Sequence, residues 1–141
     1  MKKFNLHPRL ARDTLSVVDL NLCSLLLMND SNYPWFILVP RRDNISELFE
    51  LNKLDQSLLN QEVNEVSKRL SLHFNAKKMN VAAIGNIVPQ LHIHVIARYE
   101  TDPAWPNPIW NNVDIIPYTD DISLNLIKDI KLIIQDLIID V

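Results

Sequence analysis

The sequence predicts an α+β domain in which an antiparallel sheet carries a central amphipathic helix and a C-terminal helix. Two pairs of short β-type runs, each pair joined by turn residues, and one run of helical periodicity between the pairs predict it. The chain has 141 residues, 48% of them apolar, enough for one hydrophobic core. No repeat or linker divides it, so one domain is expected over 1–141, with a core at about 22–98 and a Pro/Trp loop and helix over 99–141.

The first pair is Leu22 to Met28 and Trp35 to Val39, closed by Pro40. The polar stretch Asn29-Asp30-Ser31-Asn32 between them reads as a hairpin loop long enough to touch a ligand. From Asp55 to about Phe74, Leu58, Leu59, Val63, Val66, Leu70 and Phe74 recur as one face of a helix requires, with Asp55 as the expected N-cap. Met79 to Ile84 and Leu91 to Ala97 read as the second strand pair, joined through a turn at Gly85-Asn86. Gly85 is the only glycine, and so the best candidate for a tight turn or a close backbone approach to a ligand. Pro103 to Pro108 excludes regular helix or central strand, and Trp105 and Trp110 argue that this loop is ordered. A last helix is expected from Asp120 or Asp121, apolar almost all round toward its end and buried on more than one side.

Composition narrows the function classes. A net charge of −3 with both signs scattered gives no basic stripe for a nucleic-acid polymer, whereas backbone N–H groups can hold a small anion whatever the net charge. The sole cysteine, Cys23, lies in an apolar run and reads as a packed small hydrophobe. Polar residues interrupt any signal-peptide core after Met1-Lys2-Lys3, and no run is long enough to span a bilayer, so no membrane association and a cytoplasmic location are expected. The apolar last helix and the Trp-rich segment together predict a homodimer.

The chemistry is expected in Gln90-Leu91-His92-Ile93-His94-Val95-Ile96, which alternates with a period of two. In a strand, Gln90, His92 and His94 share one face while Leu91, Ile93 and Val95 enter the core. Burying three such side chains unpaired costs roughly 1–3 kcal/mol each, so they either line a site or are satisfied in the core. The repeated pattern favours a site. Imidazole suits attack on phosphorus, because one nitrogen can attack while the other donates to an acceptor that fixes the tautomer. Gln90 can neither attack nor titrate, and His92, unlike His94, has a hydrogen-bonding neighbour on each side. No cofactor is implied.

The stretch from about Asn80 to Arg98 resembles the histidine triad (HIT) superfamily, whose motif is His-φ-His-φ-His-φ-φ with φ apolar, except that Gln90 stands in place of the first His. The order of hairpin, helix, strand, Gly-containing turn and motif strand is similar over Leu22 to Arg98, in a bacterial branch of HIT-like hydrolases. The resemblance implies a nucleotide hydrolase or nucleotidyl transferase acting on phosphoanhydrides or phosphoramidates. It implies a covalent nucleotidyl-His92, with His94 on the scissile phosphate, and a dimer sharing strands. It also implies ribose contact from Asn29 and Asp30, for which an Asx turn is the alternative, and phosphate contact around Gly85 and Asn86. Pro34-Trp35 stands where the family often has Gly-His, and Ile87 where it has Ser or Thr. On this basis Gln90→His is expected to preserve or raise turnover.

Two other readings compete. One is a nucleotide-binding module whose catalysis Gln90, Ile87 and Trp35 have dulled. The other is a metal site built from His92, His94 and Glu100, against which the single glycine and the long helix speak. His7 and His73 show no partner pattern and are expected at surface or helix-end positions.

Overall fold

The computed structural model describes residues 3–138. The chain runs α1 (Pro8–Asp13), β1 (Thr14–Asp19), β2 (Cys23–Met28), β3 (Trp35–Pro40), a 3-10 turn at Leu48–Glu50, α2 (Lys53–Phe74), β4 (Lys78–Ala82), β5 (Ile93–Arg98) and α3 (Asp120–Ile134), ending in a 3-10 turn. The five strands form one antiparallel sheet in the order β1-β2-β3-β5-β4. The motif strand β5 is thus interior, and every one of its residues is buried.

Alternation along the strands sorts the core into two layers. Leu25, Leu27, Phe36, Leu38, Ile93 and Val95 point to the face covered by α2 and α3, where they meet Leu59, Val66, Leu70, Ile130 and Ile134. Leu26, Ile37 and Val39 point the other way, under Phe4, Leu6, Leu10 and Val88. Farther along that second face, Tyr33 and Ile96 lie with Ala104 and Ile109 of the C-terminal loop. A carboxylate locks α2 to the sheet: Glu62 is buried and accepts from the backbone N–H groups of Leu22 and Cys23, both at 2.9 Å. Burial first, and the Glu62 charge second, push the Cys23 thiol up, as suits a packed and unreactive cysteine.

Several boundaries differ from the sequence expectation. The strands α1 leads into begin one element earlier than expected, since β1 pairs with β2 and gives the sheet an edge of its own. The N-cap of α2 is Asn52, whose side chain accepts from the Asp55 N–H at 2.8 Å; Asp55 sits in the first turn instead, in a two-point ion pair with Arg42 at 2.7 and 2.9 Å. β4 stops at Ala82 and β5 starts at Ile93, because the Leu91 N–H donates to the Ile45 carbonyl at 2.9 Å rather than into the β4 ladder. The connection is therefore a wide loop, with Gly85 at φ +72, where a side chain would be strained. α3 is one-sided: Ile130 and Ile134 are buried, while Ile122, Leu124 and Leu132 are exposed.

The Pro/Trp loop is ordered by a buried cation. Arg98, 1% exposed, makes two bonds to Asp102 at 2.8 and 3.0 Å, one to Asn80 Oδ1 at 2.8 Å and one to the Asn107 carbonyl at 2.8 Å. Its guanidinium also lies over the rings of Tyr33 and Trp105. With Ala104 and Ile109 buried, this segment packs within the chain and does not supply the free apolar surface from which a dimer was expected. Among the described residues no helix is long and apolar enough to cross a membrane.

Candidate active site

The period-two pattern places the motif side chains as the sequence requires. Leu91, Ile93 and Val95 join the helix-side core, and His94, paired across β3 with Ile37, faces the opposite layer. His92 and His94 are 6% and 7% exposed, with ring centroids 4.9 Å apart at 70°.

Each ring has one nitrogen assigned by its partner. His92 Nδ1 lies 2.7 Å from the Gln90 carbonyl oxygen, which can only accept, so Nδ1 carries a hydrogen and in the neutral ring Nε2 holds the lone pair. The indole N–H of Trp35 donates to His94 Nδ1 at 3.0 Å. An indole nitrogen can only donate, so neutral His94 carries its hydrogen on Nε2. Trp110 packs edge-on against His94 at 4.8 Å and against Trp35 at 5.6 Å. Burial, and then the neighbouring His92, push His94 down to about 4, so it is uncharged at neutral pH.

Gln90 is committed elsewhere. Its side-chain carbonyl accepts from the His7 N–H at 2.8 Å and its NH2 donates to the Asn5 carbonyl at 2.9 Å, pinning the N-terminal segment beside the motif. A glutamine amide offers a donor and an acceptor side by side for this two-point contact, a pairing that imidazole does not reproduce. The expectation for Gln90→His therefore gains a cost that the sequence did not reveal. His7 is the N-cap of α1 and His73 lies exposed in the last turn of α2, both at helix ends.

His92 lines a cavity of about 240 Å³ with Leu91, Ala83, Ile84 and Gly85 on one side and Ser46 to Phe49 on the other. Gly85 is thus brought to His92, whereas Asn86 is exposed and outside the lining. Asn29 and Asp30 are also outside it. Asp30 Oδ1 accepts from Asn32 N–H at 3.0 Å, closing the Asx turn, and from Ile116 N–H at 3.3 Å; Asn29 Oδ1 accepts from Tyr118 N–H at 2.9 Å. Both side chains fasten the β2–β3 loop to the C-terminal segment.

The metal alternative is not assembled. Glu100 pairs with Lys77 at 3.3 Å, and no group of three or more His, Cys, Asp or Glu is arranged to hold an ion among the described residues. Two features escaped sequence reasoning: the loop from Ser46 to Phe49 as a cavity wall, and Trp35 as the partner of His94. The second had a signal, since Trp35 stands where the resemblance often implies a His, and its indole N–H can take the place of an imidazole donor.

The model of the HIT domain family matches residues 9–101. No curated protein sequence matches the chain. Among solved structures, a histidine triad protein from Marinobacter aquaeolei VT8 is 44% identical, with a TM-score of 0.93 over 95% of this chain and 98% of that one. One from Sinorhizobium meliloti 1021 is 45% identical, with a TM-score of 0.90 over 92% and 96%. One from Bradyrhizobium japonicum is 40% identical, with a TM-score of 0.89 over 92% and 96%. The family match spans the sheet, α2 and the motif strand, and so the chain belongs to the histidine triad family, whose members are in general nucleotide hydrolases and transferases.

Proposed function

We propose that this chain is a metal-independent nucleotide hydrolase or nucleotidyl transferase that cleaves phosphoanhydride or phosphoramidate bonds through a covalent nucleotidyl-His92. The carrying observation is the pairing of His92 Nδ1 with the Gln90 carbonyl at 2.7 Å, which leaves Nε2 free as the nucleophile on a residue that lines the cavity. The Nε2–H of His94 is the neighbouring donor for charge on the non-bridging phosphate oxygens. Backbone N–H groups around Gly85 and Asn86 are assigned to the phosphate, and Asp30, through the oxygen not used in its turn, to the ribose hydroxyls with Asn29.

The reading includes a cytoplasmic homodimer. Leu48, Val81 and Ile84 are exposed at or beside the edge strand β4, which supports pairing there rather than at the Pro/Trp loop. Sedimentation as a monomer at tens of micromolar would remove this part of the reading.

The central test is covalent trapping. The protein is mixed with AMP derivatives carrying a labelled nucleotide, quenched, and the adduct mapped by mass spectrometry. An adduct on His92 is expected, absent in His92→Ala, slower but detectable in His94→Ala, and unaffected by excess chelator. AMP binding with no adduct from any derivative would replace this function with the nucleotide-binding module.

A further inference from the structure

We propose that Trp35 is a positioning residue that withholds a transferable proton from the site, so that the chain cleaves nucleotidyl anhydrides, whose leaving groups depart as stable anions, in preference to nucleotidyl amidates. This inference rests on the His92 reading above and selects the substrate class within it.

Gln90, His92 and His94 each hold their hydrogens in fixed places. The Gln90 amide is spent on Asn5 and His7. The one hydrogen of His92, on Nδ1, points at the Gln90 carbonyl and away from Nε2. His94 holds its hydrogen on Nε2, and a second could be added only at Nδ1, where it would meet the Trp35 indole hydrogen across 3.0 Å. Protonating His94 thus breaks a hydrogen bond and sets two donors against each other in a buried place, walled by Trp110 and His92. Giving up the Nε2 hydrogen instead would leave an imidazolate. His94 therefore donates a hydrogen bond without transferring a proton. Its low proton affinity, from burial and the His92 neighbour, agrees with this assignment.

The bond changes follow. The His92 Nε2 lone pair forms the bond to phosphorus, and His92 becomes a nucleotidyl-imidazolium whose Nδ1–H is held by the Gln90 carbonyl. The bond from phosphorus to the leaving group breaks, and its electron pair goes with that group. From a carboxylic or phosphoric anhydride, a carboxylate or phosphate departs and needs no proton. From an amidate, the nitrogen must receive a proton as the bond breaks, and Gln90, His92 and His94 supply none. Water then attacks phosphorus, releases its proton to solvent, and the imidazole leaves with its electron pair restored.

The test combines a leaving-group series with a direct view of the tautomer. On the full-length protein, kcat/KM is measured for acetyl-AMP, diadenosine triphosphate and a primary-amine phosphoramidate of AMP. Since general acid catalysis contributes about 10²–10⁴-fold, both anhydrides are expected to exceed the amidate by at least about 10²-fold beyond their difference in reactivity with free imidazole. Trp35→His, which can share a proton with His94, is expected to narrow that ratio tenfold or more. Two-bond 15N–1H correlation on histidine-labelled wild type is expected to show His94 with its hydrogen on Nε2 near pH 7, and Trp35→Phe to lose that preference. An Nδ1–H tautomer in the wild type, or equal efficiency on amidate and anhydride, overturns the inference while leaving nucleotidyl-His92 intact. Amidate turnover that Glu47→Gln abolishes also overturns it, by making that cavity-wall carboxyl the acid. Failure of all three substrates to nucleotidylate His92 refutes the underlying function and this inference together. The wild-type series and tautomer decide the matter even if the Trp35 variants do not fold.

Discussion

Lowering the pH from 7 to 4 should destabilise the wild type through His94, and His94→Asn should remove that component. Asparagine keeps an acceptor near the position of Nδ1 for the Trp35 indole but does not titrate. In the folded chain His94 is pushed down to about 4 by burial and by His92, against an ordinary 6.5. The unfolded chain therefore binds the extra proton first. The stabilisation is complete above pH 6.5, declines as pH falls toward 4 and is exhausted below that. The gap corresponds to about 3 kcal/mol, and His94 is buried enough that solvent screening takes little from it. With a urea slope of about 2 kcal/mol per molar, the wild-type midpoint should lose about 1.5 M across this window relative to the variant. Asp102 does not confuse the comparison. Burial opposes its ionisation, but its bonds from Arg98 and backbone N–H groups prevail and hold it below the usual carboxylate range, so its contribution is lost only at lower pH. Parallel midpoint curves for wild type and His94→Asn between pH 6.5 and 4 would refute the claim that His94 is buried neutral.

Two further outcomes test the packing around the site. Leu70→Ala, at a fully buried position of α2 against the sheet, should cost about 2–5 kcal/mol, read as a lowered urea midpoint with unchanged slope. Gln90→His should loosen the N-terminal segment, so that the His7 amide, now bonded to the Gln90 side chain, exchanges with deuterium at least several-fold faster than in wild type.

The sheet was legible where one residue decides one face. The alternation through β5 sent Ile93 and Val95 to the helices and His94 to the other layer, and the α2 stripe of Leu59, Val66 and Leu70 found the same core. What sequence left hidden was settled by partners remote in the chain. Asn52 displaced Asp55 as the cap of α2 because Arg42 claims the Asp55 carboxylate. The expected strands stopped short because Leu91 pairs with Ile45, a contact no local pattern encodes. The roles of Gln90 and Trp35 were hidden for the same reason: each depends on a group far away in sequence, Asn5 and His7 for one and His94 for the other.

Gln90 and Trp35 act on the same quantity. An imidazole can donate or accept at either nitrogen, so a site with several of them can pass a proton from ring to ring. Glutamine and indole have fixed donor and acceptor atoms, and here each is already matched to a fixed partner. What they remove is proton mobility, whereas the lone pair on His92 that makes the bond to phosphorus is untouched. Nucleotidylation by an anhydride should then require no proton donor in the site. Toward alkaline pH the profile of kcat/KM should stay level until the substrate or the fold changes, without the descending limb that a required general acid produces. A bell-shaped profile for acetyl-AMP in the wild type, with an alkaline limb absent from the reaction of free imidazole, would show that a proton donor does operate in this site.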